Sequence, residues 1–419
     1  MTALVIIGII VFALLGTPLF IIMSLAAMVG FYFSEIPLVA VSIEINKIAS
    51  QATILTVPLF TFAGYLMAES GSPKRLLRLA EATLGWLPGG VAIVSLVICA
   101  FFTAFTGASG VTIIALGGLL YPILSNEGYS EKFSLGLITT SGSLGLLFPP
   151  SLPIILYGMV TGVDIEKLFV AGIIPGFLLI VILSIYSIKN GSGSLSVKKF
   201  DAKEALAALR GSWLEVLLPI GVLAGIYSGK TTTTEAAAVT AFYILIIECF
   251  VYKDLSLFKD IPRVIKDSMS LVGGILLILC CALGFTNWLV DEEIPMEILR
   301  FMQEYLTNKY SFLLFLNIFL LIVGSLMDIF SAIIVVVPLI TPIAAEFGVD
   351  PLHLAIIFLT NLEIGYITPP VGINLFISSF RFKKPITELY RASFPFLLLL
   401  LFALVIITYV PSLTLWLVN

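Results

Sequence analysis

Charge is what this sequence has least of. Only 11% of its 419 residues are Asp, Glu, Lys or Arg, against 59% apolar residues, whereas a soluble chain carries about a quarter charged residues. That excludes a water-soluble globule and leaves an integral membrane protein. Histidine is nearly absent, with His353 alone, and there are four cysteines. Cys99, Cys249, Cys280 and Cys281 all fall in apolar segments, where a thiol ordinarily serves as a small packing residue. Neither a disulfide framework nor a metal cage is indicated. An intramembrane enzyme would need a His-Glu metal motif or a convincing acid pair, and the chain has neither. The formal net charge of -4, with basic residues in short loops, gives nucleic acid nothing to bind. Long polar stretches are missing too: the longest, residues 189 to 212, reads as a Gly/Ser linker leading into a short helix-like "DAKEALAALR". Its "GSGS" is no phosphate loop, since no strand precedes it and no Lys-Ser/Thr follows. The first apolar run opens with Met-Thr and ends without a small-residue cleavage signature, which argues against a cleaved signal peptide.

What is there is hydrocarbon-grade sequence. Apolar runs recur at roughly 3 to 33, 52 to 68, 91 to 124, 133 to 160, 169 to 188, 213 to 228, 235 to 252, 270 to 290, 311 to 345, 352 to 380 and 392 to 418. A crossing helix needs about 20 apolar residues, so several runs are long enough to fold back or cross twice. The expected fold is an all-α, polytopic membrane protein. Trp86, Trp213, Trp288 and Trp416 sit near run ends, as interface anchors do.

Two of the runs break their own helices. "GLLFPPSLPIIL" (145 to 156) and "GYITPPVGINLF" (365 to 376) place Gly, Pro and Pro at identical relative positions, 220 residues apart. Pro122 with Pro342, Gly128 with Gly348, and Thr140 with Thr360 share that offset. Loop charge supplies an independent test: Lys74, Arg75 and Arg78 follow residue 70, but the matching stretch near 291 is the acidic "DEEIPMEILR". Basic loops stay in the cytoplasm. Equivalent loops thus fall on opposite sides, which points to inverted repeats, 1–188 and 213–419, joined by a cytoplasmic linker at 189–212. The N-terminus and the C-terminal "SLTLWLVN" are expected outside.

Successive prolines in mid-segment stop a helix and free backbone carbonyls and amides, which hydrocarbon tolerates only where they line a binding cavity. Polar residues gather at these places. Thr139, Thr140, Ser141, Ser143 and Ser151 flank the first break, and Thr360, Asn361, Glu363, Thr368 and Asn374 the second. Upstream of each, an apolar run is interrupted by a small polar tip, "TGASG" (106 to 110) or "GSLMD" (324 to 328), then resumes to Pro122 or Pro342. That is the pattern of a re-entrant hairpin, about 100–124 and 311–345, ahead of broken helices at about 133–160 and 352–380. Hydroxyls, amide oxygens and free carbonyls are hard donors suited to a hard cation, so two such clusters can hold two sodium ions. A single Ser or Thr more often bonds back to its own helix.

A carboxylate within a membrane segment marks a functional site by default. Asp328 either ligates sodium or caps a hairpin helix, with capping favoured. Glu363, opposite Ser143 in the first half, binds a proton or coupling ion or anchors Asn361. All seven arginines lie in loops or at segment ends, so an anionic substrate would be met by helix N-termini, hydroxyls and bound sodium. His353 reads as an interfacial residue.

With these motifs in hand, the chain resembles the large membrane subunit, DctM-like, of tripartite ATP-independent periplasmic (TRAP) transporters. The resemblance rests on "GSLGLLFPPSLPIILYG" (142 to 158), "GIYSGKTTTTEAAAV" (225 to 239), "MDIFSAIIVVVPLITP" (327 to 342) and "NLEIGYITPPVGINLF" (361 to 376). It implies a sodium-coupled secondary importer of a small organic anion, such as a C4-dicarboxylate or sialic acid, in the bacterial or archaeal cytoplasmic membrane. Partners implied are a small four-helix membrane subunit and an extracytoplasmic solute-binding protein that delivers substrate, docking on outer loops that include 291 to 304. An elevator movement of both hairpins and both broken helices is implied as well, with two or more Na+ transported. Carried over by position, the sodium candidates are Gly107, Ser109, Ser141, Ser143, Gly324, Ser325, Asp328 and Thr368. The substrate candidates are Ser109, Ser151, Asn361, Thr368 and Asn374, and Pro149, Pro150, Pro369 and Pro370 break the helices. A stand-alone sodium-coupled anion symporter is the competing reading.

Overall fold

The computed structural model describes residues 19–37, 52–190, 200–293 and 308–418, with isolated positions between these segments. Much of the first apolar run, the Gly/Ser stretch 191–199 and most of the acidic segment 294–305 lie outside the described residues. Among the described residues every regular element is a helix. They run α1 (Leu19–Phe33), α2 (Thr56–Glu69), α3 (Ser72–Leu84), α4 (Gly90–Thr106), α5 (Ser109–Asn126), α6 (Glu131–Ser141), α7 (Leu152–Thr161) and α8 (Ile165–Asn190). After the linker come α9 (Ala202–Tyr227), α10 (Thr233–Ile246), α11 (Ile261–Asp291), α12 (Lys309–Leu326), α13 (Ile329–Glu346), α14 (Pro351–Gly365), α15 (Ile373–Phe382), α16 (Ile386–Tyr409) and α17 (Ser412–Leu415). Eight of the described helices are long and apolar enough to cross a membrane, or ten spans if each of two bent pairs counts as one.

Helix boundaries follow the 220-residue offset. α4 ends at Thr106 and α12 at Leu326; α5 spans Ser109–Asn126 and α13 Ile329–Glu346. α6 and α14 begin at Glu131 and Pro351. Gly128 and Gly348, each just past one of these helices, both take positive φ, 83° and 68°, a conformation that glycine adopts without steric cost. Packing crosses between halves in the same pattern. α5 packs on α15 and α13 packs on α7, so each post-tip helix lies against the other half's post-break helix. α6 packs on α16, and α14 on α8.

The two tip-bearing pairs differ. α4 and α5 pack substantially on each other, whereas α12 packs mainly on α14 and α13 on α7 and α11, with little contact within the second pair.

Two expectations about the polar stretches need correction. The linker is shorter than 189–212: α8 continues to Asn190, and "DAKEALAALR" is no separate short helix but the first turns of the 26-residue α9. Asp201 caps α9, its carboxylate accepting from Lys203 N at 2.8 Å. Low hydropathy there reflects an exposed helix face, not loop. Likewise Lys74, Arg75 and Arg78 stand on helix α3 rather than in a loop. α2 and α3 form one of the bent pairs, with a 75° turn between them.

Candidate functional site

At the first break α6 ends at Ser141, a 3-10 turn follows at Leu144–Leu147, and α7 starts at Leu152. At the second, α14 ends at Gly365 and α15 starts at Ile373. The peptide bonds Pro149–Pro150 and Pro369–Pro370 are both cis. The first break is clamped between glycines: a Cβ on Gly145 would lie 2.2 Å from Ala100 O of α4, and one on Gly172 of α8 2.2 Å from Leu147 O. Without a hydrophobic drive between helices in lipid, such close backbone approach is what holds them.

Each tip docks on its own half's break. Gly107, at φ +63°, ends α4, and a Cβ there would meet Leu152 Cβ at 2.5 Å. In the second half, a Cβ on Gly365 would lie 2.5 Å from the Gly324 carbonyl carbon. Gly372 N donates to Ser325 O (3.1 Å), and Ile329 N donates to the Tyr366 hydroxyl (2.8 Å). Asp328 caps α13: Oδ1 accepts from Phe330 N and Ser331 N, each at 3.0 Å, and Oδ2 accepts from Ser331 Oγ at 2.5 Å. The favoured capping geometry is therefore present.

The other N-termini at this centre lack a side-chain cap. Ala108 before α5, Ser151 before α7 and Gly372 before α15 offer no capping bond. Two of these termini converge: Ser109 Oγ donates to Asn374 Oδ1 at 2.7 Å, joining the first turns of α5 and α15. Asn374 Nδ2 donates to Thr139 O (3.3 Å), and the Thr139 and Ser378 hydroxyls are 2.9 Å apart. All four side chains are buried. At α15 the Asn374 amide already donates to Tyr366 O at 3.1 Å, so backbone rather than a side chain meets part of that terminus. The partial positive charge of both termini favours an anion.

The remaining nominated residues separate into distinct groups. Ser141, Ser143 and Thr368 bond back to Ile138 O, Thr140 O and Ile364 O, and Ser325 to Ile322 O. Ser151 Oγ is buried with no partner, as are Thr140 Oγ1 and both Glu363 carboxyl oxygens. Asn361 does not join Ser109 and Asn374; its Nδ2 donates to Asn317 Oδ1 on α12 at 2.7 Å, and Asn317 in turn reaches Thr408 of α16. The breaks also differ in access: Pro149 and Pro150 are buried, while Pro369 and Pro370 are exposed.

His353 is fully buried, not facing an interface. Its Nδ1 lies 2.8 Å from Thr414 Oγ1 and its Nε2 3.1 Å from Thr408 O, tying the start of α14 to the end of the chain. One further cluster has no signal in the sequence. Arg75 reaches Glu215 Oε1 (2.8 Å), Glu248 Oε2 (2.9 Å) and Asp254 Oδ2 (2.5 Å), with its guanidinium 3.7 Å from the centre of the Tyr252 ring. It binds α3 to α9 and to the end of α10. These partners lie 140 to 179 positions away, and nothing in the spacing announces them.

A family model for the DctM component of tripartite ATP-independent periplasmic transporters matches residues 6–413. The C4-dicarboxylate TRAP transporter large permease protein DctM of Pseudomonas aeruginosa is 37% identical over 92% of this chain and 91% of its own. The isethionate TRAP transporter permease protein DctMQ of Oleidesulfovibrio alaskensis is 36% identical over 96% of this chain, which spans 64% of that longer one. Among solved structures, the YdaH transporter of Alcanivorax borkumensis superposes with a TM-score of 0.61 at 14% identity, covering 88% of this chain and 86% of its own. That likeness speaks to the fold alone.

Proposed function

The chain belongs to the DctM component family of tripartite ATP-independent periplasmic transporters, a multi-pass protein of the bacterial inner membrane, and from that premise we propose that it imports a small organic anion driven by sodium. The matched relatives are permeases, in keeping with the expected lack of catalytic chemistry. The observation that carries the reading is the Ser109–Asn374 contact, which brings two uncapped helix N-termini to one buried point. A substrate carboxylate there is met by amides and hydroxyls without an arginine. Sodium takes the oxygens freed at the tips and breaks, from among Gly107, Ser109, Ser141, Ser143, Gly324, Ser325 and Thr368. Asp328 supports that site as a cap, since its oxygens already serve α13.

The body made of the two hairpins, α4–α5 and α12–α13, and the two broken helices, α6–α7 and α14–α15, moves as a unit in an elevator cycle. C4-dicarboxylates are the first substrate class to test, because the P. aeruginosa relative is named for them. A small membrane subunit and an extracytoplasmic solute-binding protein complete the importer, in line with the longer DctMQ relative. The test is uptake into vesicles carrying the assembled importer. Replacing sodium by choline abolishes uptake on this reading, and undiminished uptake overturns sodium coupling. Uptake that persists without any binding protein returns the stand-alone symporter.

A further inference from the structure

One cavity, of about 320 Å³, lies between α4, the first break, α8 and α9. Ala100 and Ala104 of α4, Phe148 and Pro149 at the break, Phe177 of α8 and Pro219 of α9 contribute to its wall, and every residue lining it is apolar. Such a wall gives water no hydrogen-bonding partners. Phe177 is 56% exposed, so the cavity opens on the outer face of the molecule.

From that mouth an apolar track runs along α8. Phe177, Val181, Ile185 and Ile188 are all exposed, and steps of four, four and three residues keep them on one helix face. At 1.5 Å per residue the track is about 16 Å long, close to half the roughly 30 Å thickness of a bilayer's hydrocarbon. Its far end is marked as a membrane surface. Ile188 packs on Gly89 in the turn before α4; Lys189, the next residue, and Trp86, in that same turn, are both exposed, and the Trp86 ring lies edge-on to Phe200. The track therefore leads from headgroup level to the depth of the helix break.

We propose that this groove holds one acyl chain of a bilayer phospholipid, with its headgroup near Trp86 and Lys189 and its methyl end against Phe148 and Pro149. A partner helix does not fit the inner cavity, since one turn about 10 Å across and 5.4 Å long exceeds its volume. α9 packs on α3 and α10, while α4 and α8 pack on the first break. The lipid tail fills the seam between these two groups of helices, directly behind a break assigned to transport.

The test uses the full chain in phosphatidylcholine vesicles containing a phosphatidylcholine with a diazirine near one acyl methyl end. After irradiation, adducts are mapped by mass spectrometry. The expected result is labelling at Phe148 and Phe177 several times heavier than at Phe402, a comparably exposed residue of α16. Moving the diazirine close to the headgroup shifts the label to Ile188 and Trp86. Leu223→Trp, which fills the groove from α9, removes the Phe148 adduct and spares Phe402. Labelling spread evenly over exposed residues, or unmoved by the diazirine's position, overturns the proposal even if the variant fails to fold. So does protection of Phe148 by the small subunit in place of lipid.

Discussion

Ser109 and Asn374 stand 265 positions apart, yet the serine hydroxyl donates to the asparagine carbonyl oxygen at 2.7 Å, both side chains being buried. Ser109→Ala leaves that oxygen buried without its donor, at a cost of about 1–3 kcal/mol. Asn374→Ala removes the acceptor and the bond to Thr139 O together. Because the two residues touch, the double variant should lose less than the sum of the single losses, by at least about 0.5 kcal/mol. Thermal unfolding of the four proteins in detergent measures this, and strict additivity would show that the bond does not form. In sodium titrations of uptake, Ser109→Ala and Thr368→Ala each raise the half-maximal concentration, since both hydroxyls donate their protons elsewhere, to Asn374 Oδ1 and Ile364 O, and keep oxygen lone pairs for the ion. An unchanged value for both removes them from the ion sites.

Gly365 and Gly324 test the docking of tip on break. A methyl on Gly365 would sit 2.5 Å from the Gly324 carbonyl carbon, and backbone on both sides cannot yield cheaply. Overpacking of this kind costs about 1–3 kcal/mol, so Gly365→Ala lowers the thermal midpoint and reduces uptake. Gly221→Ala, with nothing within 4 Å of its added methyl, leaves both unchanged. Equal behaviour of the two variants would mean that tip and break are not in contact.

Those outcomes bear on why only part of the site can be read from sequence. Paired prolines stop a helix through bonds within one turn, so both breaks and the 220-residue offset are visible in the linear chain. The Asp328 cap is local too, reaching two and three residues ahead. Ser109, Asn361 and Asn374 are all nominated by being polar in apolar surroundings, yet which of them meet is set by helix packing across the whole molecule. Asn361 turns to Asn317, and only Ser109 finds Asn374. α9 is misread at its start because its first turns are solvated, and hydropathy alone cannot separate a polar helix face from a loop.

Acid should loosen the cluster around Asp254, which lies in the turn after α10. Burial pushes its carboxyl up, but hydrogen bonds from Arg75 and Gly71 N more than offset this and hold it below the usual carboxylate range. A carboxyl lowered in the folded state stabilises fully above its unfolded value near 3.9, and that contribution disappears as pH falls through the folded value. Stability of the native protein should therefore fall more steeply below about pH 4 than that of Asp254→Asn, which has nothing there to titrate. Parallel curves from thermal unfolding across this window would remove Asp254 from the cluster's energetics.

Arg75 itself carries the largest predicted effect. Its guanidinium meets Glu215 and Glu248, which are 3% and 1% exposed, as well as the more open Asp254. Removing one partner of a buried ion pair strands the other charge, at about 3–5 kcal/mol, so Arg75→Ala should unfold at markedly lower temperature. Arg75→Lys should recover only part of the loss, because an ammonium is a point charge without the planar fork that reaches all three carboxylates and lies against the Tyr252 ring. Arg78→Ala breaks an exposed pair with Glu204, worth at most about 1 kcal/mol, and serves as the reference. Adding Glu215→Gln and Glu248→Gln to Arg75→Ala should restore stability, since the penalty is the stranded charge and not the lost bond. If Arg75→Ala proves no worse than Arg78→Ala, the cluster does not hold α3 against α9 and α10.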